Sequence, residues 1–203
     1  FTIIDKLGDG ISVFNADGDL GYKVLEGDSI LIKGSIDQFN GLIEIEPDTI
    51  KFLGMTIIEE AEAVDELSEV TESQFISISE ELTLTNEDDW KSDGTTFTVI
   101  GEAADGEMYE IVIDNDTELA TLIFPGFPFF VTGIGSQRDV SVPYTEGYRI
   151  IPRYNEDVDF VVNTKDVEVF NSFKIIPNPS SDYIEVDIEA TVKEFYVFDI
   201  NGN

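Results

Sequence analysis

Positive charge in this sequence is concentrated in one short segment. All three arginines, Arg138, Arg149 and Arg153, lie within sixteen residues, and Tyr144 and Tyr148 are interleaved with them. Arginine beside exposed aromatic rings can grip single-stranded nucleic acid or sugars, by stacking and by contacts to phosphate or hydroxyl groups. We therefore name these five as candidate ligand-binding residues. The alternative is structural, because arginines amid many acids usually form surface or interdomain ion pairs.

Two aligned sets of oxygen-bearing side chains are candidate calcium ligands, since calcium takes six to eight oxygen ligands in flexible geometry. They are Asn15, Asp17 and Asp19 in one set and Asp114, Asp116 and Glu118 in the other. Neither set is an EF-hand, because the required glycine is misplaced and no glutamate closes a twelve-residue loop. The alternative is a pair of polar hairpin turns, where Asn and Asp are favoured for backbone reasons. Calcium is the one cofactor considered.

Nucleophilic catalysis is excluded by composition. The sequence contains no histidine, no cysteine and no Gly-x-Ser-x-Gly turn. A serine in this chain would therefore lack the usual general base, and thiol catalysis is impossible. We predict that this chain is not an enzyme, and that any catalytic activity of the protein belongs to another domain.

The chain is strongly acidic. It carries 43 Asp plus Glu against 11 Lys plus Arg, a formal net charge of −32. Such a field repels phosphate backbones and anionic lipid, so nucleic acid and membrane surfaces are poor default partners. No apolar run approaches the roughly 20 residues of a membrane span, and we expect none.

The sequence contains an internal repeat. GDSILIKGSIDQ from Gly27 returns as GFPFFVTGIGSQ from Gly126, 99 residues later, and Gly41 matches Gly147 at a spacing of 106 after a seven-residue insertion. Upstream, FTIIDKLGDG from Phe1 matches FTVIGEAADG from Phe97 at a spacing of 96. One β module therefore occurs twice. The glycine within the repeated strand, Gly34 or Gly133, predicts a bulge or sharp bend in both copies.

Short apolar runs between turn residues predict strands throughout, and hence an all-β fold. In the first copy these runs are FTII, GISVF, SILIKGSI, LIEI and TIKFL, and the second copy opens with the additional strand FISISEELTL at Phe75–Leu84. The first copy has no counterpart of this strand, so we expect its opening strand to be missing and the chain to be cut from a larger protein. We assign Trp90, Phe75, Phe97, Phe129 and Phe130 to the core.

Composition shifts divide the chain into four parts. We predict a module at residues 1–58, a linker with a helical turn at 59–70, a second module at 71–165 and a further β unit at 166–203. Pro177-Asn178-Pro179 forbids helix and forces an extended entry. Two alternating strands follow, YIEVDIEA and KEFYVFDI.

The repeated module resembles the OB-like domains of secreted Bacteroidetes proteins, often found beside extracellular nuclease or lamin-tail domains. The residues that carry this resemblance are GDSILIKGSIDQFNGLIEI in the first copy and YEIVIDNDTEL with TGIGSQRD and PYTEGYRIIPR in the second. The resemblance implies two tandem OB-like Greek-key barrels. Five short strands with a glycine bend are also what a small closed Greek-key barrel needs.

The last segment resembles the first half of the C-terminal sorting domain of the type IX secretion system. The matching residues are Pro177, Asn178, Pro179, Asp182, Asp199 and Gly202, with a strand and an aromatic-rich strand between them. The resemblance implies a small β-sandwich that is read by the type IX secretion machinery, and an extracellular or outer-membrane-surface location.

These observations lead to two hypotheses of function. The first is a non-catalytic spacer or adhesion region of a secreted or cell-surface protein exported by the type IX system. The alternative is an accessory module of an extracellular nuclease, which would bind polysaccharide or single-stranded nucleic acid.

Overall fold

The fold is all-β. The structure, a computed structural model, describes residues 1–15 and 21–161, and beyond them the backbone of two strands within residues 173–188. The chain forms two compact units, Phe1–Val162 and Asn163–Asn203. In the described residues the only helices are four 3-10 turns of three or four residues. The all-β prediction is confirmed.

Twelve strands lie in the first unit, numbered in chain order. They are β1 Thr2–Ile4, β2 Gly10–Val13, β3 Asp28–Phe39, β4 Leu42–Met55, β5 Glu62–Val64, β6 Phe75–Ile78, β7 Thr83–Leu84, β8 Phe97–Glu102, β9 Met108–Ile113, β10 Phe129–Gln137, β11 Tyr148–Ile151 and β12 Val158–Phe160.

The first unit contains two sheets that repeat one topology. The first sheet has the strand order β1-β2-β4-β3, and the second contains the order β8-β9-β11-β10 within a longer path. In both, the central pair is parallel, β2 with β4 and β9 with β11, and the outer pairs are antiparallel. The predicted internal repeat is therefore confirmed at the level of strand order.

The strand pairing corrects the spacing of the repeat. Ser12 pairs with Glu44 as Glu110 pairs with Arg149, and Asp37 pairs with Glu44 as Ser136 pairs with Arg149. Glu44 and Arg149 are therefore counterparts, 105 residues apart rather than on the predicted spacing of 106. A slip of one residue exchanges the two faces of a strand, so the sequence match in this strand was wrong. The same comparison places β1 and β8 at a spacing of 98, where 96 was predicted.

The two repeated glycines allow close approach of a neighbouring strand. A Cβ at Gly34 would overlap the backbone of Glu46, and one at Gly133 would overlap the backbone of Ile151. The ladder between β3 and β4 shifts its register between Lys33 and Gly34. The predicted irregularity at Gly34 is therefore confirmed, and Gly133 occupies the equivalent crowded position.

The second sheet is extended by three further strands. Its hydrogen-bonded order is β5-β6-β10-β11-β9-β8-β7, and β12 also pairs with β10. β6 and β7 lie at opposite ends of the repeated core although they are consecutive in the chain. They are the two halves of the predicted opening strand Phe75–Leu84, which is interrupted at Ser79–Leu82.

The described residues form two sheets, and neither closes into a barrel. The first sheet ends at β1 and β3, which have no partner strand on their outer edges in this part of the chain. In the second sheet the ladders do not close, and a single bridge from Leu82 to Phe129 lies between β7 and β10. The interruption in Phe75–Leu84 accounts for this opening.

One two-residue turn joins the longest pair of strands. LIEI and TIKFL, predicted as separate strands, form the single fourteen-residue strand β4. It is connected to β3 through Asn40 and Gly41, whose φ angles of 51° and 96° are both positive. Asn-Gly with positive φ at both positions is the favoured composition of a type I′ hairpin, and the prediction overlooked this signal.

The hydrophobic core lies almost entirely in the second sheet. Its largest fully buried side chains include Tyr109, Phe129 and Ile76, whereas Val13 and Pro47 are the only apolar side chains that are buried among the described strands of the first sheet. Trp90 donates from Nε1 to the carbonyl of Leu122 at 2.8 Å.

The core prediction is confirmed for Trp90, Phe97 and Phe129. It is wrong for Phe130, which is 38% exposed because alternate residues of β10 face solvent. Phe75 is half-buried.

Residues 59–70, predicted as a linker, contain the short strand β5, which pairs in parallel with β6. A 3-10 turn at Glu69–Thr71 follows. This segment therefore lies along the edge of the second sheet.

The second unit contains the antiparallel pair β13 Phe173–Ile176 and β14 Glu185–Ile188. The predicted sorting-motif residues, which run from Pro177 to Gly202, lie outside the described residues.

Candidate functional site

Arg153 lies at the centre of a network that joins the two sheets. It follows β11 and precedes a 3-10 turn, where its Nε donates to Asp157 Oδ2 at 3.0 Å and its Nη2 donates to Asp157 Oδ1 at 3.1 Å. Its Nη1 donates to Glu26 Oε1 at 2.7 Å. Tyr154 donates its hydroxyl to the other oxygen of Glu26 at 2.5 Å. Glu26 precedes β3, so this pair of contacts links the first copy to the second.

The guanidinium of Arg153 also lies over an aromatic ring. Its Cζ atom is 3.9 Å from the centroid of the Phe75 ring. A cation over a ring face is attracted by the ring quadrupole, and guanidinium groups stack well on such faces. The hydrogen-bonding edge of Arg153 thus faces carboxylates of this chain, and one of its faces contacts Phe75.

Arg149 is largely buried beside one carboxylate. Its side chain is 11% exposed, and Nη1 lies 3.5 Å from Glu110 Oε1. Burial lowers the pKa of the Arg149 guanidinium, and Glu110 offsets part of this effect. Its Nε is buried and has no hydrogen-bond partner within the described residues. Little of this side chain is accessible to a ligand.

Tyr148 is directed at the 3-10 turn before β6. Its hydroxyl donates to Glu69 Oε2 at 3.1 Å. Burial raises the pKa of Tyr148, and the hydrogen bond to Glu69 adds to this shift.

Glu72, in the same region, accepts from the backbone N–H of Ile43 in β4 at 3.0 Å. Burial raises the pKa of the Glu72 carboxyl, although this hydrogen bond acts against the shift. Its second oxygen, Oε2, is buried without a partner in the described residues. This contact is a second link between the two sheets.

Tyr144 belongs to the loop that is inserted between β10 and β11 in the second copy. It has a positive φ of 61°. Its carbonyl and that of Glu146 each accept from Gln137 Nε2 at 3.0 Å. Asp139 accepts from the backbone N–H groups of Ser141 and Glu146, and these hydrogen bonds, those from Ser141 foremost, lower the pKa of its carboxyl. The loop is therefore held by its own side chains.

Arg138 differs from the other two arginines. Its side chain is exposed, and no carboxylate of the described residues forms a salt bridge with it. Its backbone N–H donates to the carbonyl of Gly147 at 2.9 Å. Of the three arginines, this one presents its charge to solvent.

The Asn40–Gly41 hairpin of the first copy packs against the end of β10 and the loop that follows it in the second copy. The N–H of Asp139 donates to the carbonyl of Asn40 at 2.6 Å. A Cβ at Gly41 would overlap the side chain of Gln137, and one at Gly10 would overlap the carbonyl of Ser73. Glycine is therefore required at Gly10, where the obstacle is backbone, whereas a side chain at Gly41 could be accommodated only if Gln137 moved.

The five candidate residues do not converge on one open surface. Arg149, Arg153 and Tyr148 contact carboxylates of this chain, Tyr144 holds a loop, and Arg138 is free of ion pairs in the described part. Sequence reasoning missed Glu26, Asp157 and Gln137, which position them. The i,i+4 spacing of Arg153 and Asp157 was a local signal for one of these contacts, whereas nothing in the sequence connects Glu26 with Arg153.

The candidate calcium ligands of the second copy also have separate contacts. Asp114 accepts from Thr96 Oγ1 at 3.4 Å, and Glu118 accepts from Asn155 Nδ2 at 3.0 Å. In the described residues no group of three or more acidic side chains is arranged to hold a metal ion. Of the first set, Asp17 and Asp19 lie outside these residues, and only Asn15 lies within them.

No helix in the described residues combines the length and apolar character needed to cross a membrane. Comparison with known proteins gives no match, since no family model, curated protein or solved structure is significantly similar to the chain.

Proposed function

We propose that this chain is a non-catalytic spacer or adhesion region of a secreted or cell-surface protein, exported by the type IX secretion system. The fold in this proposal is OB-like. The second copy would be a five-stranded, partly open Greek-key barrel made of Phe75–Leu84, β8, β9, β11 and β10, and the first would be four strands of the same plan. Its support is the shared strand order with a parallel pair at the centre.

The observation that carries the spacer proposal is the set of contacts that Arg153 makes within the chain. An arginine that served a ligand would present its donors to solvent. Instead, all three donor nitrogens of Arg153 are engaged by Asp157 and Glu26. Because Glu26 belongs to the first copy, these contacts fix one sheet against the other. A rigid connection between modules is what a spacer requires.

The test compares binding with stability in matched variants. Filter binding of the chain to single-stranded DNA and to a panel of polysaccharides at low salt, where ionic contacts are strongest, is expected to give no retention. Arg153→Ala is expected to lower the unfolding temperature, whereas Arg138→Ala leaves it unchanged. Saturable binding that is lost in Arg138→Ala without a change in stability would contradict the spacer proposal.

The second candidate function is an accessory module that binds nucleic acid or polysaccharide beside an extracellular nuclease. The exposed side chain of Arg138, which forms no salt bridge in the described residues, favours it, since this cation is accessible in an otherwise acidic chain. Binding through Arg138 requires that the retention of single-stranded DNA on the filter falls steeply as the salt concentration rises. Retention that is insensitive to Arg138→Ala would remove the support for this function.

Export by the type IX system is proposed from the resemblance of residues 177–202 to its sorting domain. In a bacterium that carries this system, the protein is expected on the cell surface or in the medium. Replacing Pro177, Asn178 and Pro179 together by alanine is expected to retain it inside the cell, as measured by immunoblots of cell fractions. Unchanged surface display of this variant would contradict the proposal.

A further inference from the structure

Arg138 and Arg149 lie on the same face of the second sheet. Ser136 pairs with Arg149 across β10 and β11, and the N–H of Arg138 donates to the carbonyl of Gly147 at 2.9 Å. Side chains alternate between the two faces of a sheet, so Arg138 and Arg149 are diagonal neighbours on one face. Long side chains reach each other across such a diagonal. The two guanidinium groups can therefore contact one ligand.

The charge of Arg149 is weakly neutralised for a side chain that is so little exposed. Its one ion pair in the described residues joins Nη1 to Glu110 Oε1 at 3.5 Å, and its Nε has no partner there. Burial is the main cause that lowers the pKa of Arg149, Glu110 acts against it, and the charge of Arg138 lowers this pKa further. A buried charge is costly unless it is paired and hydrogen-bonded. A further anion beside Arg149 would therefore be favourable.

We propose that Arg138, Arg149 and Ser136 form a binding site for one tetrahedral oxyanion, a sulfate or phosphate group. Guanidinium groups match the geometry of such oxyanions and form charge-assisted hydrogen bonds with them. Ser136 contributes a hydroxyl donor on the same face. Because the donors belong to two strands, they approach the ligand from different directions. A tetrahedral group accepts from several directions, whereas the two oxygens of a carboxylate lie in one plane.

The exposure of the two arginines limits the size of the group that binds. The side chain of Arg138 is exposed, whereas that of Arg149 is 11% exposed. This small accessible part suffices for contact with a single anionic group, but not for a polymer lying along the guanidinium. The inference goes beyond both proposed functions, because one anionic group is enough, whether it is a free ion or an ester on a larger molecule.

The charge near the site differs in sign from that of the whole chain. The net charge of −32 repels anions, but Arg138 and Arg149 face one carboxylate, that of Glu110. At an ionic strength of about 0.15 M the screening length is about 8 Å, so distant carboxylates contribute little. Glu110 is then the local competitor of the ligand. Removing its charge should strengthen anion binding, which a purely structural ion pair would not predict.

The experiment is an NMR titration of the full, nitrogen-15-labelled chain with sodium sulfate, with the ionic strength held at about 0.15 M by sodium chloride. We expect saturable shifts of the Arg149 Nε–H signal and of the backbone amides of Ser136 and Arg138. Arg138→Gln should weaken sulfate binding about tenfold, the typical effect of losing a charge-assisted hydrogen bond. Lys51→Gln, which removes an exposed positive charge from β4, is the matched control and should bind as the parent chain does.

A second variant separates anion binding from a structural role of the ion pair. Glu110→Gln is expected to bind sulfate about threefold more tightly, because Arg149 is released from a competing carboxylate. Titrations with inorganic phosphate and with dextran sulfate, against uncharged dextran as the reference, compare the free ion with the ester. Shifts of the same signals by both sources assign the site to the anionic group itself. Melting temperatures verify that each variant is folded.

Several results would overturn the proposal. They are shifts that sodium chloride alone produces, shifts that do not saturate, and sulfate binding that is unchanged in Arg138→Gln. Weaker sulfate binding by folded Glu110→Gln would show that the ion pair is structural. Binding of dextran sulfate without binding of either free ion would mean that a polymer is required, and equal shifts with uncharged dextran would assign the surface to sugar rings.

Discussion

Around Arg153, ion pairing, hydrogen bonding and ring stacking act on one side chain. Its partner Asp157 is only 9% exposed at the side chain, and Arg153 itself is 25% exposed. Removing the arginine would leave a nearly buried carboxylate without its counter-ion, which costs far more than the loss of an exposed pair.

We therefore expect Arg153→Ala to lower the free energy of unfolding by about 2–3 kcal/mol, between the values for exposed and fully buried pairs. Arg153→Lys should restore only part of this loss, because an ammonium group cannot make the bidentate contact or stack on Phe75. Urea denaturation of the three proteins measures the difference. Full stability in Arg153→Lys would show that charge alone matters at this position.

The carboxyl of Glu72 makes the stability of the folded chain depend on pH, which provides a test. Because burial raises its pKa in the folded chain above the ordinary value of 4.5, its ionised form opposes folding, and this penalty disappears as the pH falls through the raised pKa to below 4.5. Glu72→Gln keeps an acceptor for the N–H of Ile43 and removes the charge.

We expect Glu72→Gln to melt at a higher temperature than the parent chain at pH 7, because the variant lacks the charge whose burial raises the pKa of Glu72. The difference should vanish near pH 4. The exposed Glu81, changed to Gln, is the control for the loss of one negative charge at the surface. A gain that persists at pH 4 would assign the effect to packing.

The sequence shows that the three arginines lie close together in the chain, but it did not predict what they contact. Arg153 and Asp157 are close in the chain, whereas Glu26 lies 127 residues from Arg153. The latter pairing depends on how the two copies pack, and a single sequence carries no local signal for it.

At the scale of elements, the Asn40–Gly41 hairpin determines how the first sheet meets the second. Gly41 needs both a positive φ and open space, because Gln137 lies against it and is itself held by two carbonyls. Gly106 has a similar φ of 93°, but a Cβ added to it would have no atom within 4 Å. Substituting the two glycines in turn therefore separates the cost of backbone strain from the cost of crowding.

We expect Gly41→Ala to destabilise the chain by about 1–3 kcal/mol more than Gly106→Ala, which is the typical cost of overpacking. Both variants bear the left-handed backbone cost of about 1–2 kcal/mol. Thermal melts of the two variants give the comparison. Equal losses would mean that Gln137 moves aside without cost.

The sequence predicted the strands and the internal repeat, but the repeat match placed β4 one residue out of register. Gly41 and Gly147 each stand directly before the second strand of their strand pair, so they were natural anchors for an alignment. The loop between β10 and β11, however, adds six residues rather than seven to the second copy. Strand pairing reveals this difference, whereas the sequence does not, because both alignments match Ile45 with an isoleucine.

Across the whole first unit, the two copies contribute unequally to stability. Ile150 is fully buried in the second sheet, whereas its counterpart Ile45 is half-buried in the first. Burial of apolar area stabilises roughly in proportion to the area removed from water. The second sheet therefore carries most of the folding free energy.

We expect Ile150→Ala to cost about 2–5 kcal/mol, as in other buried cores, and Ile45→Ala to cost less than half as much. Amide exchange should be slowest in β9 and β10 and faster in β3. Native-state exchange of the parent chain, with urea melts of both variants, measures these differences. Equal costs would indicate that the face of the first sheet is covered in solution.

Salt should stabilise the chain as a whole. With a net charge of −32, self-repulsion opposes the compact state, and screening at moderate ionic strength weakens it. We expect the melting temperature to rise when sodium chloride is increased from about 0.01 M to about 0.15 M, a change that shortens the screening length from about 30 Å to about 8 Å. A falling melting temperature would show that specific ion pairs outweigh general repulsion.

The uneven burial of the two copies has a consequence during synthesis. The first copy leaves the ribosome before the residues that Gly10, Asn40 and Glu26 rest against have been made. At translation rates of about 5–20 residues per second, roughly a hundred further residues take about 5–20 s. Throughout that interval the first copy lacks the contacts that the second copy supplies, so a holding chaperone would act on the first sheet before the second sheet has formed.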